Sequence, residues 1–241
     1  MMQKLRALVF YIVGFAATIG ISIVGLLFFW APQAFLWRLV VAISSFLVWA
    51  GDFFCNMKVE FEGTENIPGE PCVIMIKHTT TLEVYAYLPL FPQTCWVLKR
   101  EIFWIPLIGW AIALFQPIAI WRSARGKAVK QVIEQGKQRL ADGLLVTVFP
   151  EGTRVPPGET RRYGVSGAAL AQEAGVPIIP IAHNAGDFWR RREFAKRPGT
   201  VRFVIGPPIG AQGRAPRETN EVVQAWIEGR MREISVHYEK A

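Results

Sequence analysis

Apolar and polar positions divide this chain into two unlike parts. No charged residue falls between Arg6 and Arg38. A hydrocarbon core about 30 Å thick takes roughly 20 apolar residues as a helix, and residues 7–30 reach that length. The run is too long for a signal-peptide core, and more apolar sequence follows its small-residue stretch at once. Ala31-Pro32-Gln33 reads as a turn. A second apolar run, Leu39 to Gly51, lies between Arg38 and Asp52 and is short for a full crossing. Two arrangements follow. Either the first run spans and the second returns imperfectly, or both form a helical hairpin lying partly in one leaflet. Arg38 near the turn favours the hairpin, because a buried Arg at the bilayer centre costs roughly 2.5–3.5 kcal/mol. That cost vanishes if the turn emerges on the far side. Both arrangements leave the ends on one face, and Lys4, Arg6 and Lys58 assign that face to the cytoplasm.

The texture changes near Lys58, so the chain divides into a membrane-associated hairpin over 1–57 and a catalytic-type domain over 58–241. Short runs at 59–61, 73–76, 95–98, 144–149, 178–182 and 201–205 read as strands, several of them Val- and Ile-rich and bounded by Gly or Pro. Helices are expected at 126–141, at 165–174 before Gly175, and at about 218–239, where Val223, Ile227, Met231, Ile234 and Tyr238 form a stripe. Strands alternating with helices imply an α/β domain with a mostly parallel central sheet flanked by helices. Residues 84–121 interrupt the pattern with nine aromatic residues and Pro89, Pro92, Pro106 and Pro117. They suit a bilayer interface, a hydrophobic core or the lining of an acyl-chain tunnel.

Charge sharpens the choice of partner. The net charge is +8, and both parts are basic. Such a chain favours nucleic acid, a phosphorylated ligand or an anionic bilayer, and the apolar N-terminus points to the bilayer. Cys55, Cys72 and Cys95 have no framework or zinc spacing and read as reduced, packed thiols.

Two short segments carry candidate chemistry. His78 follows the strand at 73–76, and Glu83 follows it in Lys77-His78-Thr79-Thr80-Thr81-Leu82-Glu83. In a continuous helix these two would point apart. With His78 in a turn and a helix starting near Thr80 they can meet, so that the carboxylate fixes the imidazole tautomer and the free nitrogen accepts a proton. Thr80 to Glu83 is equally a helix capping box. No second His or Cys stands where it would complete a metal site. Downstream, the strand at 144–149 enters Pro150-Glu151-Gly152-Thr153-Arg154. Gly152 allows close backbone approach to an anion, and Arg154 can grip phosphate bidentately. Glu151 would accept from a substrate hydroxyl or orient Arg154. The bland reading is a surface turn with a salt bridge. Lys99, Arg100, Arg122 and Arg125 follow other apolar segments and add cations.

In this order, the segments resemble the 1-acyl-sn-glycerol-3-phosphate acyltransferase family. His78 and Glu83 match its His-x4-Asp motif, with Glu for the usual Asp. Phe149 to Arg154 match Phe-Pro-Glu-Gly-Thr-Arg residue for residue. Val176-Pro177-Ile178-Ile179-Pro180 match its Val-Pro-Ile-x-Pro run. The segment before its second motif is similar at Lys99-Arg100-Glu101, Pro106 and Gly109-Trp110, but Trp121 stands where an acidic residue usually precedes the Arg. The resemblance covers roughly 58–210 and extends to the bacterial two-helix start. It implies acyl transfer from acyl-CoA or acyl carrier protein to the sn-2 hydroxyl of a lysophosphatidic acid, giving phosphatidic acid at the cytoplasmic membrane. His78 would be the general base, with direct attack and no acyl-enzyme. Lys99, Arg122, Glu151, Gly152, Thr153 and Arg154 would bind substrate. The loop at Gly152 and the helix start near Thr80 would steady developing charge. No metal or prosthetic group is implied. Two rivals remain: an acyltransferase for another lysolipid, such as a lyso-ornithine lipid, and a non-catalytic protein binding anionic lipid. The second would use a solvated basic cluster of Arg161, Arg162, Arg190, Arg191, Arg192, Lys196 and Arg197.

Overall fold

The N-terminal apolar runs are helices that pack back on each other in the computed structural model, which describes residues 1–121 and 125–238. Helix α1 is Met2–Leu27 and α2 is Gln33–Cys55, and both are long and apolar enough to cross a membrane. The second run is longer than its charge-free stretch. It begins before Arg38, which lies exposed, and continues through Asp52. A helix needs continuous backbone hydrogen bonding, not continuous apolarity, so a single exposed charge does not end it. Asn56 ends it in the left-handed region, at φ 52°, a conformation that Asn adopts more readily than most residues.

Seven strands form one sheet among the described residues: β1 Met57–Glu62, β2 Val73–Ile76, β3 Thr94–Lys99, β4 Ile118–Ile120, β5 Leu145–Val148, β6 Ile178–His183 and β7 Gly199–Ile205. Their order is β1-β7-β6-β2-β5-β3-β4. All pairs are parallel except β6 with β7. The expected α/β class with a mostly parallel sheet is therefore the observed one. Strands β2, β5 and β6 are buried along their whole length, which is why they read as apolar runs without alternation. Strand β4 was not expected; it is three residues long and follows Pro117 and the left-handed Gln116.

The remaining helices are α3 Ile108–Ala113, α4 Arg125–Ala141, α5 Ser166–Ala174, α6 Ala185–Phe188 and α7 Pro216–Ile234. Helix α7 stops short of the expected 239, and Tyr238 packs from the turn that follows it. Side chains alternate across β2. Val73 and Met75 face α4, α5 and α7 through Val132, Leu170 and Ile227. Ile74 and Ile76 face the opposite way, into a core shared with Phe10 and Ala50 of the hairpin. The hairpin thus forms one covering layer of the sheet.

Candidate active site

Parallel neighbours place their following loops side by side, at the end of the sheet where ligands bind in α/β folds. Strands β2 and β5 are such a pair, with Met75 opposite Val148. His78 follows β2 and the Phe149–Arg154 segment follows β5. The two loops are tied together at His78: its amide donates to Glu151 Oε1 at 3.4 Å, and the Val155 amide donates to its carbonyl at 2.8 Å.

His78 Nδ1 lies 2.9 Å from Glu83 Oε1. No α-helix starts near Thr80; a bend over 79–81 turns the chain back and leads into a 3₁₀ turn at Leu82–Val84. The same carboxylate accepts the Thr79 amide at 2.8 Å, the Thr80 amide at 2.7 Å and the Thr80 hydroxyl at 2.5 Å. The His78–Glu83 contact forms, while the capping box is met only by half: Glu83 takes the Thr80 amide, but the Thr80 hydroxyl caps no helix. Burial pushes the Glu83 carboxyl up, but the bonds from His78 and Thr80 and the facing His183 overcome this and hold it at about 2. With Glu83 ionised, Nδ1 of His78 is the donor and Nε2 carries the free lone pair. The Phe149 ring covers the imidazole, with centroids 4.2 Å apart.

These side chains border a cavity of about 1150 Å³ between the hairpin and the sheet. Its polar end holds His78, Lys99, Glu151, Gly152, Thr153 and Arg154, and its apolar depth is lined by α1, α2 and residues of the 84–121 segment. Neither Lys99 nor Arg154 has a carboxylate partner among the described residues. Arg122 lies outside the described residues. The 84–121 segment serves several expected purposes: Tyr87 and Phe91 are core, Trp96 and Phe115 line the cavity, and Trp104 and Trp110 are exposed.

Two expectations about backbone donors change. Gly152 does adopt a positive φ, 68°, but its amide donates to the Phe149 carbonyl at 3.0 Å. The Thr79 and Thr80 amides are taken by Glu83. All three close turns within the protein. Lys196 also departs from the solvated cluster. It is fully buried, with its ammonium 4.7 Å from the Tyr11 ring centre and 4.5 Å from that of Trp189. Burial pulls its pKa down to about 8. Arg161, Arg162, Arg191 and Arg192 remain exposed near the mouth.

Residue-by-residue reading missed Lys77 and Glu228. Lys77 Nζ pairs with Glu228 Oε1 at 2.6 Å and lies 3.5 Å from Glu151 Oε1, all in the interior. Burial pushes the Glu151 carboxyl up to about 7, although Lys77 draws it down. His183, fully buried, stacks on Phe203 and bonds the Lys77 carbonyl through Nε2 at 2.7 Å, a structural role.

A family model described as Acyltransferase matches residues 58–184. A 1-acyl-sn-glycerol-3-phosphate acyltransferase of Pseudomonas aeruginosa is 41% identical over 97% of this chain and 93% of its own length. The alpha form of that enzyme in Mus musculus is 30% identical over 68% of this chain and 59% of its own. The crystal structure of the 1-acyl-sn-glycerophosphate acyltransferase of Thermotoga maritima shares the fold, with a TM-score of 0.77 over 96% of this chain and 97% of that one, at 23% identity.

Proposed function

This chain belongs to the 1-acyl-sn-glycerol-3-phosphate acyltransferase family, and on that footing we propose that it acylates the sn-2 hydroxyl of a 1-acyl-glycerol 3-phosphate to give phosphatidic acid. The observation that carries the mechanism is the His78–Glu83 contact at the mouth of a deep apolar cavity. His78 Nε2 takes the proton of the acceptor hydroxyl as its oxygen attacks the thioester carbonyl. The tetrahedral intermediate collapses with loss of the thiolate, which recovers that proton from the imidazolium. Glu83, ionised and four times hydrogen-bonded, steadies the imidazolium without taking its proton. Cys55, Cys72 and Cys95 are buried, in keeping with direct attack and no acyl-enzyme. Arg154 and Lys99 hold the acceptor phosphate, with Arg122 as a further candidate. The donor is acyl-CoA or acyl carrier protein.

The hairpin also has a role in this reading. Gln33 at its turn donates to the Leu114 carbonyl at 3.2 Å and accepts from Gln93 at 3.3 Å. A full crossing would break these bonds or drag the catalytic domain into the bilayer. These bonds favour a hairpin lying in one leaflet of the cytoplasmic membrane, and Lys4, Arg6 and Lys58 favour the cytoplasmic face for the catalytic domain.

Purified protein assayed with lysophosphatidic acid and a panel of acyl donors tests this reading. His78→Ala is expected to slow transfer about 10²–10⁴-fold, the usual worth of general-base help. Transfer left intact in His78→Ala overturns the mechanism. Arg154→Ala is expected to raise KM for lysophosphatidic acid; an unchanged KM would favour a phosphate-free acceptor such as a lyso-ornithine lipid.

A further inference from the structure

Lys77 precedes His78, and its side chain is among the largest in the interior. A lysine is almost never fully buried unless it is paired. Here the pairing is dense. The ammonium donates to Glu228 Oε1 of α7 at 2.6 Å and to the Glu159 carbonyl at 3.3 Å, and it stands 3.5 Å from Glu151 Oε1. Glu228 in turn accepts from the Tyr163 hydroxyl and the Thr160 hydroxyl, each at 3.0 Å. Tyr238, beyond the end of α7, sets its ring 5.5 Å from the Lys77 ammonium and donates to the Glu159 carbonyl. The cluster thus gathers β2, the 151–163 segment, α7 and the C-terminal turn. Glu151 Oε2 is buried without a partner among the described residues, while Oε1 receives the His78 amide.

We propose that Lys77 and Glu228 are positioning residues for the reaction: their buried ion pair holds the Glu151 carboxylate against the His78 amide and so sets where the general base stands. A cluster of this kind is costly to bury. Replacing such pairs by apolar residues is often neutral or stabilising, so stability alone does not account for it. The placement does, because the carboxylate it steadies touches the main chain of the base itself.

The inference rests on the acyl-transfer reading, so one arm of its test avoids turnover. The charged groups facing Glu151 are Lys77 and Glu228, the ionisable phenols are Tyr163 and Tyr238, and His78 meets it through its amide. Removing a facing cation raises a carboxyl pKa, and removing a facing anion lowers it. Infrared titration in detergent micelles follows the carboxyl band that Glu151→Gln abolishes. Lys77→Met is expected to move that titration to higher pH by about one unit or more, and Glu228→Gln to lower pH. With lysophosphatidic acid and acyl-CoA, the acid limb of kcat moves in the same two opposite directions. In Lys77→Met, kcat falls about tenfold or more while KM for the acceptor shifts less than about threefold. A general loss of packing would lower activity without opposed pH shifts. Bands and limbs that stay put in folded variants, or a loss carried by KM, overturn the proposal. If Lys77→Met does not fold, Glu228→Gln decides alone, since it removes the facing anion while keeping a similar shape. Opposed infrared shifts in the two variants, with a wild-type protein inactive on lysophosphatidic acid, would sink the acceptor assignment and leave the positioning cluster standing. Unmoved bands with normal turnover would sink the positioning role alone.

Discussion

Two glutamates near His78 are perturbed in opposite senses, and each sets a separate expectation. Glu83 is buried and held at about 2 by its donors, below its ordinary value of 4.5. Its contribution to stability is complete above pH 4.5 and fades as pH falls toward 2, when the folded form must take up a proton. Glu83→Gln removes the acceptor that fixes the His78 tautomer while keeping a similar shape. The variant is expected to lose about 10²-fold or more in kcat and to lose the acid-sensitive part of its stability, read by melting between pH 2 and 5. Glu151 behaves the other way. Its carboxyl is raised to about 7, so the folded state binds more protons than the unfolded one between pH 4.5 and 7. Stability contributed by this group therefore declines as pH rises through that window. Glu151→Gln is expected to melt higher than wild type at pH 8, by an amount on the order of 1–3 kcal/mol, and to transfer acyl groups more slowly. A variant that melts lower at pH 8 would refute the raised pKa. Of these residues, His78, Glu83 and Glu151 were legible from short motifs. Lys77 and Glu228 were not: they stand 151 positions apart, and a lysine after a strand and a glutamate in a polar helix each look like solvated residues until the fold buries them together.

Among the elements, the hairpin shows most plainly what periodicity reveals and what it omits. The absence of charge announced two apolar helices, and both formed. Their lengths were harder to read, since α2 passes through Arg38 and Asp52. Strands buried on both faces were legible as Val- and Ile-rich runs. Alternation with helices announced a mostly parallel sheet, but not which pair would depart from it. The antiparallel pairing of β6 with β7 appears only once the chain is folded. Strand β4 was missed because three residues cannot display alternation. The hairpin was also read as an anchor alone, whereas it encloses the cavity. Ser22 of α1 is buried and borders that space. Ser22→Phe fills part of it with a ring, so transfer is expected to shift toward shorter acyl chains, with kcat/KM for a long-chain substrate falling about tenfold relative to a short one. An unchanged chain-length profile would show that the substrates' acyl chains do not enter between α1 and the sheet.

For the whole molecule, the question is how a basic protein with a buried apolar cavity meets its lipid. Exposed apolar side chains are grouped: Phe28, Phe29 and Trp30 stand at the hairpin turn, and Trp104, Ile105 and Trp110 on the segment that contacts α1. Aromatic residues favour the boundary between headgroups and acyl chains, and the net charge of +8 favours anionic headgroups. The turn cannot travel far from the catalytic domain while Gln33 is bonded to Leu114 and Gln93. A one-leaflet hairpin and a spanning one therefore differ in where Phe29 lies. The three native cysteines are buried, so a thiol introduced as Phe29→Cys is the exposed target for labelling. In one leaflet, a fluorophore there is quenched by spin labels carried on lipid chains, and the thiol escapes a membrane-impermeant maleimide applied to the outer face of cells. In a spanning hairpin the same reagent reaches it. The interfacial arrangement also predicts that binding of the purified protein to anionic vesicles weakens as salt rises, since exposed charges are screened within about 8–10 Å at physiological ionic strength, while a residue of affinity persists from the apolar contacts. Modification of Phe29→Cys from outside would overturn the one-leaflet placement and would require the Gln33 contacts to open in the membrane.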